Sequence, residues 1–600
     1  MRRLGSYMLG TYDRKIWALA LVMIMLIPGC MDSNEDDVPD KYENAELAGH
    51  ESVDVPYTSG CDNLNPIHCL LPFPSDAFLI EDSTTVTGLR VNYSDATFPV
   101  SGSDAELSLP SLNYLDGMSP SSQIITAFST APNLTGVADQ YTVSLSLLDD
   151  HPTILLNLDT GERVAHWVEN DARTTNENTT LVFIRTMGAL EPDTAYGVGI
   201  AGLGVSPSAA FQAVIDGAET NALDVEARRN SMSSLLATLA GKGYAKESLS
   251  AAWTFHTASA ESTTSTILSM RADALDKLGD DGIGCTVTSS EDDWDADGDN
   301  KGFRRIRGTF TAPQYLEWQN PPSKFVRDSN GTPQFVENAE IPFTLVIPQI
   351  LADLNESGPL MVFGHGFLGN GEDTVSGGSL GWAEDFKVSF IATDIYGWSG
   401  SDLDTIGLGL FNLSYFQHQS DRLQQMLINQ MSMVRTFKGA CSDLSEMYNN
   451  GTNLVDSSVV NYMGYSLGGI YGASITAISP DIDRAALWVG GSAFSSIIER
   501  STNYASFEAE FSMTRAYPDR NDRALLIAIC QQLWDPADPE TFLRYANEGN
   551  GNEIGNFSFL SIISVNDAQV PMLSSDRAAS TAGIPVLSSS ARLPYGLSVQ

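Results

Sequence analysis

The sequence predicts a doubly wound, mostly parallel α/β sheet over residues 300–600, preceded by a β-rich region over 126–260. In the second half, short apolar runs bounded by turn residues alternate with helical periodicity, as buried parallel strands do. In the first half, short alternating runs such as YTVSLSLLD and TLVFIRTM indicate half-buried strands. The runs expected as parallel strands are GPLMVFGHG, KVSFIATDIYG, SSVVNYMGYS, RAALWVGG, SFLSIISV and GIPVLSSS.

One long helix is predicted between the second and third of these runs. The stretch DRLQQMLINQMSMVRTFKG places apolar residues at helical spacing, which gives a single apolar stripe. Its methionines are expected to fill the core rather than to bind a cofactor.

Length and charge limit the classes of protein that the chain can represent. Six hundred residues exceed what one hydrophobic core usually holds, so two to four folded units are expected. The 75 acidic and 33 basic residues give a formal charge of −42, which argues against binding to nucleic acid. The expected organisation is a signal peptide (1–30), an acidic flexible tether (31–57), an irregular segment (58–125), a β-sandwich-like domain with a helical insertion (126–260), an acidic connector (261–299) and the α/β domain (300–600).

The N-terminus has the features of a targeting signal. Basic residues precede the apolar run IWALALVMIMLI, which is too short to span a bilayer but suits a signal peptide. The following LIPGC resembles a bacterial lipobox, which implies that Cys30 is lipidated and that the chain is anchored to a membrane. Residue 31 is Met rather than Asp, so no inner-membrane retention signal is present and the outer membrane is the expected location. Ordinary secretion is the alternative.

Cysteine spacing suggests one local disulfide. Cys61 and Cys69 lie eight residues apart in an exported segment rich in turn formers, and we expect them to pair. The same segment contains LPFPSD, to which the sequence assigns no chemistry. Three further cysteines remain: Cys285, Cys441 and Cys530. Because three is an odd number, one of them must be unpaired or must bond to some other group.

The β-rich region carries one recognisable pattern, LEPDTAYGVGI. Its alternating Leu, Pro, Thr and Tyr196 resemble the tyrosine corner of immunoglobulin-like and fibronectin-like sandwiches, in which the tyrosine hydroxyl bonds to backbone upstream. The simpler interpretation is any half-buried strand with an edge proline. We favour a β-sandwich, interrupted by the helix-like stretch that begins AFQAVIDG.

An acidic stretch, SSEDDWDADGDNKG, precedes the α/β domain. Asp293, Asp295, Asp297 and Gly298 match the first half of a calcium loop, but Arg304 stands where a bidentate Glu belongs. An acidic surface loop is the favoured interpretation of residues 291–300, and we predict no metal site.

The pattern G-x-S-x-G occurs at Gly464–Gly468, with Ser466 at its centre. A Ser between two glycines recurs by chance, so the pattern is weak alone. Here an apolar strand precedes it and a credible helix follows, which is the context that a nucleophilic serine on a strained turn requires. The glycines are needed because a side chain beside the serine would clash. We therefore predict that Ser466 is a nucleophile.

A second motif, FGHGFLGNGED, follows the strand GPLMVFG. Gly364, His365 and Gly366 resemble the HG loop of lipases and esterases, whose backbone amides help to form an oxyanion hole. The resemblance implies that the amides of Phe367 and Leu467 are the two donors. His365 is usually structural in such loops, so we do not expect it to be the catalytic base.

The third motif is SVNDAQVP, at the end of a late strand. Asp567 there resembles the acid of the α/β-hydrolase superfamily, in which the order along the chain is serine, acid, histidine. All seven histidines precede Ser466, and without a base a serine hydroxyl is a poor nucleophile. We expect either that the natural chain continues beyond residue 600 with the missing histidine or that the hydrolase is degenerate.

Together these motifs resemble the α/β-hydrolase superfamily and, more narrowly, surface-exposed lipoprotein lipases and lysophospholipases of Gram-negative bacteria. The resemblance implies hydrolysis of carboxylic esters, including lipid-derived esters, without metal or organic cofactor. Two alternatives remain open. One is a surface binding protein that has kept an inactive hydrolase scaffold, and the other is a serine peptidase or polyester depolymerase on the same fold.

Overall fold

The computed structural model describes residues 52–102, 106–174, 176, 178–294, 301–509, 513–549 and 553–600. Cys30, Asp295, Asp297, Gly298 and most of the expected tether lie outside the described residues. The lipidation of Cys30 therefore stays a prediction, and the partial match to a calcium loop is not tested. No helix within the described ranges has the length and hydropathy needed to cross a membrane.

The first half of the chain builds two three-stranded antiparallel sheets, with strand orders β3-β6-β5 and β4-β7-β8. A short hairpin precedes them, and three helices lie between β7 and β8. The elements are β1 (Leu79–Glu81), β2 (Leu89–Val91), β3 (Ile124–Phe128), β4 (Thr153–Asn157), β5 (His166–Asn170), β6 (Thr180–Thr186), β7 (Ala195–Ala201), α1 (Ala209–Asp216), α2 (Leu223–Ala227), α3 (Arg229–Gly241) and β8 (Leu249–His256).

These two sheets share one hydrophobic core, to which α1 to α3 also contribute. The Tyr196 hydroxyl accepts a hydrogen bond from the Glu191 amide at 2.9 Å, which is the bond expected of a tyrosine corner. Assignment to the immunoglobulin or fibronectin class stays a prediction. The prediction of a strand at YTVSLSLLD is wrong, because Val143–Leu147 forms a 3-10 helix in which the Ser146 hydroxyl donates to the Val143 carbonyl at 2.7 Å.

The LPFPSD segment has a structural role. Leu71 and Phe73 are fully buried, and the Trp253 indole donates to the Pro74 carbonyl at 2.9 Å. The Ser75 hydroxyl donates to the buried carboxylate of Asp62 at 2.5 Å. The segment therefore connects the hydrophobic core of the two antiparallel sheets, which includes Trp253, with a second core, which includes Leu71 and Phe73. Beside it, Cys61 and Cys69 form a disulfide.

The second half of the chain builds an eight-stranded mixed sheet with the order β18-β17-β16-β12-β13-β11-β10-β9. The elements are α4 (Ala260–Leu278), β9 (Cys285–Asp292), β10 (Gly302–Gln314), β11 (Glu337–Pro348), α5 (Gln349–Leu354), β12 (Gly358–Gly364), α6 (Gly371–Ser376), α7 (Leu380–Phe386), β13 (Ser389–Ala392), α8 (Leu403–Phe411), α9 (Phe416–Lys438), β14 (Tyr448–Asn449), β15 (Thr452–Asn453), β16 (Val455–Tyr465), α10 (Leu467–Ile478), β17 (Ile482–Trp488), α11 (Phe494–Ile498), α12 (Tyr504–Ala509), α13 (Met513–Ala516), α14 (Arg520–Trp534), α15 (Pro539–Leu543), β18 (Ser558–Ile562) and α16 (Met572–Ala582).

The strand directions confirm the predicted α/β architecture. Strands β13, β12, β16, β17 and β18 run parallel, whereas β9, β10 and β11 pair antiparallel at one side of the sheet. Helices cover both faces, because Leu345 and Ile347 of β11 enter the core that contains α9 and α10, whereas Val346 between them packs with α6 and α7.

Two segments differ from expectation. Residues 261–299, predicted as an acidic connector, contain α4 and the edge strand β9, and Cys285 of β9 forms a second disulfide with Cys441. The acidic residues of β9 occupy exposed edge positions, which is why they resembled a loop. The stretch GIPVLSSS does not join the sheet. It makes only an isolated bridge between Val586 and Val599, so the prediction of a strand there is wrong.

Candidate active site

Ser466 lies between the end of β16 and the start of α10. Its backbone has φ +54° and ψ −116°, a conformation that is strained for any residue with a side chain. The Ser466 amide donates to the Trp488 carbonyl at 3.0 Å, which ties the turn to the neighbouring strand β17. The side chain is half-buried. Strain of this kind persists only where surrounding structure enforces it, and it concentrates at functional sites.

The glycines around Ser466 have a steric reason. A Cβ on Gly464 would lie 2.5 Å from the carbonyl of Gly468, and a Cβ on Gly468 would lie 2.3 Å from the carbonyl oxygen of Gly364. The clashing atoms are backbone, which cannot rotate away. Strand β12, the serine turn and α10 therefore approach so closely that only glycine fits at these positions.

Two backbone amides near Ser466, those of Phe367 and Leu467, donate to no backbone or side-chain group within the described chain. The neighbouring amides are engaged, since that of Leu368 donates to the Trp398 carbonyl and that of Gly468 donates to the His365 carbonyl at 2.9 Å. Phe367 and Leu467 also line the cavity that contains Ser466. Unpaired amides beside a serine are suited to hold an oxyanion.

His365 is fully buried and bonded at both ring nitrogens. Its Nε2 accepts from the Ile395 amide at 2.7 Å, so Nδ1 carries the proton and donates to the Gly366 carbonyl at 2.7 Å. Burial lowers its pKa below the usual range for histidine. Both ring positions are occupied, so His365 positions the loop and cannot take a proton from Ser466.

None of the six histidines in the described part of the chain forms a hydrogen bond with Ser466 or Asp567, or lines the cavity beside them. His418 packs its ring against Tyr415. The remaining four have these partners: His68 with Asp522, His151 with Ala138 and Thr153, His166 with Thr153 and Val164, and His256 with Asp193. The base that would activate Ser466 is therefore unassigned within the described residues, and His50 lies outside them.

Asp567 follows β18, whose carboxyl end lies at the same edge of the sheet as those of β16 and β17. Its Oδ1 accepts from the amides of Gln569 and Val570 at 2.8 and 3.0 Å. Its Oδ2 accepts from no described residue, and Gln569 and Val570 line the cavity of Ser466. Asp567 is thus held by one oxygen, while the other is available for a partner.

The cavity beside Ser466 has a volume of about 60 Å³ and a mostly apolar wall that includes several aromatic rings. Trp398 is central to this wall, with ring centroids 5.2 Å from Phe367 and 5.6 Å from Trp534. Phe494 stacks on Trp534 at 3.8 Å. An apolar wall excludes water and strengthens electrostatic interactions inside the site.

Asp538 also lines this cavity and has no counterpart among the predicted site residues. It is buried, and its carboxylate accepts from the amides of Ala493 and Phe494 at 3.0 and 2.8 Å and from the Gln531 side chain at 3.1 Å. It thereby fixes the start of α11 over the cavity. The sequence DPE, an N-cap Asp followed by Pro at the first helical position, signals the start of α15 but not this long-range contact.

No group of His, Cys, Asp or Glu in the described residues is arranged to hold a metal ion. Asp293, the described member of the acidic loop, has a backbone amide that donates to the Phe303 carbonyl at 2.8 Å.

No protein-family model and no curated protein matches this chain. Among solved structures, the chain is similar to an acetyl xylan esterase from Paenibacillus sp. R4, with 15% identity, 56% of this chain and 86% of that chain covered, and a TM-score of 0.33. It is also similar to acetyl xylan esterase 1 from Thermoanaerobacterium sp. JW/SL YS485, with 14% identity, 53% of this chain and 84% of that chain covered, and a TM-score of 0.32. A Pyrococcus horikoshii acylaminoacyl peptidase is similar with 13% identity, 50% of this chain and 49% of that chain covered, and a TM-score of 0.26. These likenesses are too weak to assign an activity.

Proposed function

We propose that the protein is a serine hydrolase of the α/β-hydrolase type that cleaves carboxylic esters through an acyl-enzyme on Ser466. The observation that carries this proposal is the strained turn of Ser466, which faces a cavity together with the unpaired amides of Phe367 and Leu467. The sequence resemblance extends the proposal to lipases and lysophospholipases.

The reaction would proceed in two displacements. Ser466 Oγ gives its proton to a base and bonds to the acyl carbon, while the carbonyl electrons move to oxygen and are held by the amides of Phe367 and Leu467. Collapse of this intermediate breaks the bond to the alcohol, which leaves with the proton. A water molecule then repeats the sequence and releases the carboxylic acid. Asp567 Oδ2 is suited to orient an imidazole base.

A fluorophosphonate probe followed by intact and peptide mass spectrometry tests the nucleophile. We expect one label, on Ser466, and no label on Ser466→Ala. Ser474→Ala is the matched control, because Ser474 lies about two turns further along α10 and its hydroxyl donates to the Ala537 carbonyl at 2.9 Å. It should label like the wild type. Absence of label on Ser466 in the wild-type protein would refute the proposal.

A binding protein with an inactive hydrolase scaffold is the second candidate, and the hydrogen bonding of five of the six described histidines to other groups favours it. Turnover separates the candidates. A hydrolase should release acid from a panel of acyl esters, whereas a binding protein should release none. Acylated peptides in the same panel distinguish an esterase from a peptidase.

We further propose that the chain is a lipoprotein of the outer membrane, acylated at Cys30. The lipobox-like LIPGC supports this, together with Met at residue 31. Detergent-phase partitioning of wild type against Cys30→Ser tests it. Recovery of both in the aqueous phase would instead favour ordinary secretion.

A further inference from the structure

We propose that a separate cavity, lined by residues of α4, α9 and α14, binds a neutral sugar ring. This cavity has a volume of about 290 Å³. A cavity of roughly 150 Å³ holds benzene, and a hexopyranose has twice as many non-hydrogen atoms as benzene, so there is room for one such ring. The cavity shares no lining residue with that of Ser466, so sugar binding is independent of the proposed hydrolysis.

Two deeply buried glutamines that line this cavity have unpaired amide oxygens. Gln424 of α9 and Gln532 of α14 are each 1% exposed, and Oε1 of both accepts no hydrogen bond within the described residues. Oε1 of Gln417, about two turns earlier in α9, also lines the cavity side of the helix and is buried and unpaired. Buried polar atoms are rarely left without a partner in folded proteins. The three oxygens therefore suit a ligand that donates several hydrogen bonds.

The orientation of two of these amides is fixed by their nitrogens. Nε2 of Gln417 donates to the Asp421 carboxylate at 2.6 Å, so a flipped amide would place two oxygens against each other. Nε2 of Gln532 donates to the Tyr93 hydroxyl at 3.3 Å, and that hydroxyl itself donates to Met118 Sδ at 3.5 Å. The amide oxygens are thus the atoms left for a ligand.

Hydroxyl side chains of α4 also line this cavity. They recur at intervals of three and four residues, which places them on one face of the helix: Ser262, Ser265, Thr266 and Ser269. Helix α4 packs against α9, which carries Gln417 and Gln424. A hydroxyl both donates and accepts hydrogen bonds, so these side chains can pair with ligand hydroxyl groups in either sense.

The cavity offers no free charge to an ionic ligand. No Asp, Glu, Lys or His is among the described residues that line it. Its one guanidinium, that of Arg327, donates from both terminal nitrogens to the buried Asp421 carboxylate, at 2.7 and 2.6 Å. A ligand with a net charge would therefore lose its hydration without gaining a counter-charge. A neutral ligand with many hydroxyl groups fits this lining.

An exposed aromatic ring and an ordered loop complete the lining. Tyr114 is 53% exposed, and a Cβ built on Gly331 would lie 3.5 Å from three atoms of its ring. Asp328 Oδ1 holds the loop, because it accepts from the amides of Asn330 and Thr332 at 2.8 and 3.0 Å. An aromatic ring with a polar tip is suited to contact the C–H groups of a sugar ring at the solvent side.

Isothermal titration calorimetry of the wild-type protein tests the site. The probes are neutral hexoses, their methyl glycosides and short neutral oligosaccharides, and we expect at least one to bind. Binding of free hexoses would identify a free sugar as the ligand, whereas binding of oligosaccharides alone would identify the end of a glycan. Glucuronate and protonated glucosamine should bind at least about tenfold more weakly than the best neutral sugar.

Two results of this titration would overturn the proposal. One is tighter binding of glucuronate than of every neutral sugar, which would mean that Arg327 is free to pair with an anion. The other is the absence of binding by every probe at concentrations up to about 0.1 M. The cavity would then hold water alone.

A pair of substitutions in α9 tests the role of the unpaired oxygens. Gln424→Leu should weaken sugar binding by about tenfold, the effect of one lost hydrogen bond. Gln430→Leu is the matched control, because Gln430 is also 1% exposed with an unpaired amide but does not line the cavity. It should keep the affinity within about twofold of wild type. Equal affinities in the two variants would overturn the assignment.

A second pair of variants leaves the protein core untouched. Ser265 is exposed and lines the cavity, so Ser265→Tyr should block it and abolish binding. Ala272 is exposed on the same helix but does not line the cavity, so Ala272→Tyr should bind like the wild type. Undiminished binding in Ser265→Tyr would place the sugar elsewhere. Fluorophosphonate labelling of Ser466 should be unchanged in all four variants, which separates this test from that of the proposed function.

Discussion

The close approach of Gly468 to β12 predicts a selective loss of reactivity in Gly468→Ala. The new Cβ would lie 2.3 Å from the carbonyl oxygen of Gly364 and 2.4 Å from its carbonyl carbon. Both are main-chain atoms of a strand that is paired on both sides, so the strain must move the loop that carries Phe367 or the turn that carries Leu467. Overpacking of this kind costs about 1–3 kcal/mol of stability. Displacement of one oxyanion donor costs about 10²–10³ in rate.

Gly308→Ala is the matched control for this prediction. Its Cβ would lie 2.2 Å from the Thr286 carbonyl oxygen, so the clash is equally severe, but it falls in the β9–β10 hairpin, and β11, β13 and β12 lie between β10 and β16. The assay is the second-order rate of fluorophosphonate labelling, with denaturant unfolding measured on the same preparations. We expect both variants to lose stability, and we expect the labelling rate to fall by more than about tenfold only in Gly468→Ala. Equal labelling rates in the two variants would refute the assignment of the Phe367 and Leu467 amides.

Three further predictions concern the acid, the disulfides and pH. Asp567→Asn keeps an Oδ1 acceptor for the amides of Gln569 and Val570 but cannot orient an imidazole correctly, so the rate of ester turnover should fall by a factor of about 10³–10⁴. Asp394→Asn, just after β13, is the control and should change the rate by less than about tenfold. Loss of Cys285–Cys441, which closes a loop with a sequence separation of 156, should lower the free energy of unfolding by about 5 kcal/mol when both cysteines are replaced by serine. Loss of Cys61–Cys69, with a separation of 8, should lower it by about 2.5 kcal/mol. Similar losses for the two disulfides in denaturant unfolding would contradict this prediction. Burial raises the pKa of Asp535 from 3.8 to about 7, so the folded state holds a proton that the unfolded state has released, and stability should fall as pH rises through that window. Denaturant unfolding at several pH values should show a smaller fall in the free energy of unfolding in Asp535→Asn than in the wild type. An identical fall in both would argue against the raised pKa of Asp535.

The sequence alone determined those features that depend on neighbours along the chain. An apolar strand, a glycine-flanked serine and a helix are enough to predict the turn at Ser466, because strand burial, glycine freedom and helix periodicity are local properties. The same holds for α9, which the helical spacing of its apolar residues predicts. The residues of this apolar stripe are all buried in the structure: Leu423, Met426, Leu427, Met431, Val434 and Phe437.

Only the tertiary structure decided the features that join distant parts of the chain. The acidic edge strand β9, the pairing of Cys285 with Cys441 and the bond from the Ile395 amide to His365 each depend on partners far away in the sequence. Asp538 is the clearest case, because a helix N-cap signal cannot reveal that the same carboxylate also holds the start of α11 at the cavity of Ser466.

The physical reason is that local preferences fix the conformation of a segment, whereas the choice of partner depends on packing over the whole fold. The amides of Phe367 and Leu467 look like any others in the sequence. They become a candidate oxyanion hole because, among the described residues, the amides of Leu368, Ser466 and Gly468 are paired and these two, which line the cavity of Ser466, are not. The cavity beside Ser466 is likewise defined by rings from Phe367, Trp398, Phe494 and Trp534, which come together only when the sheet and its helices close around them.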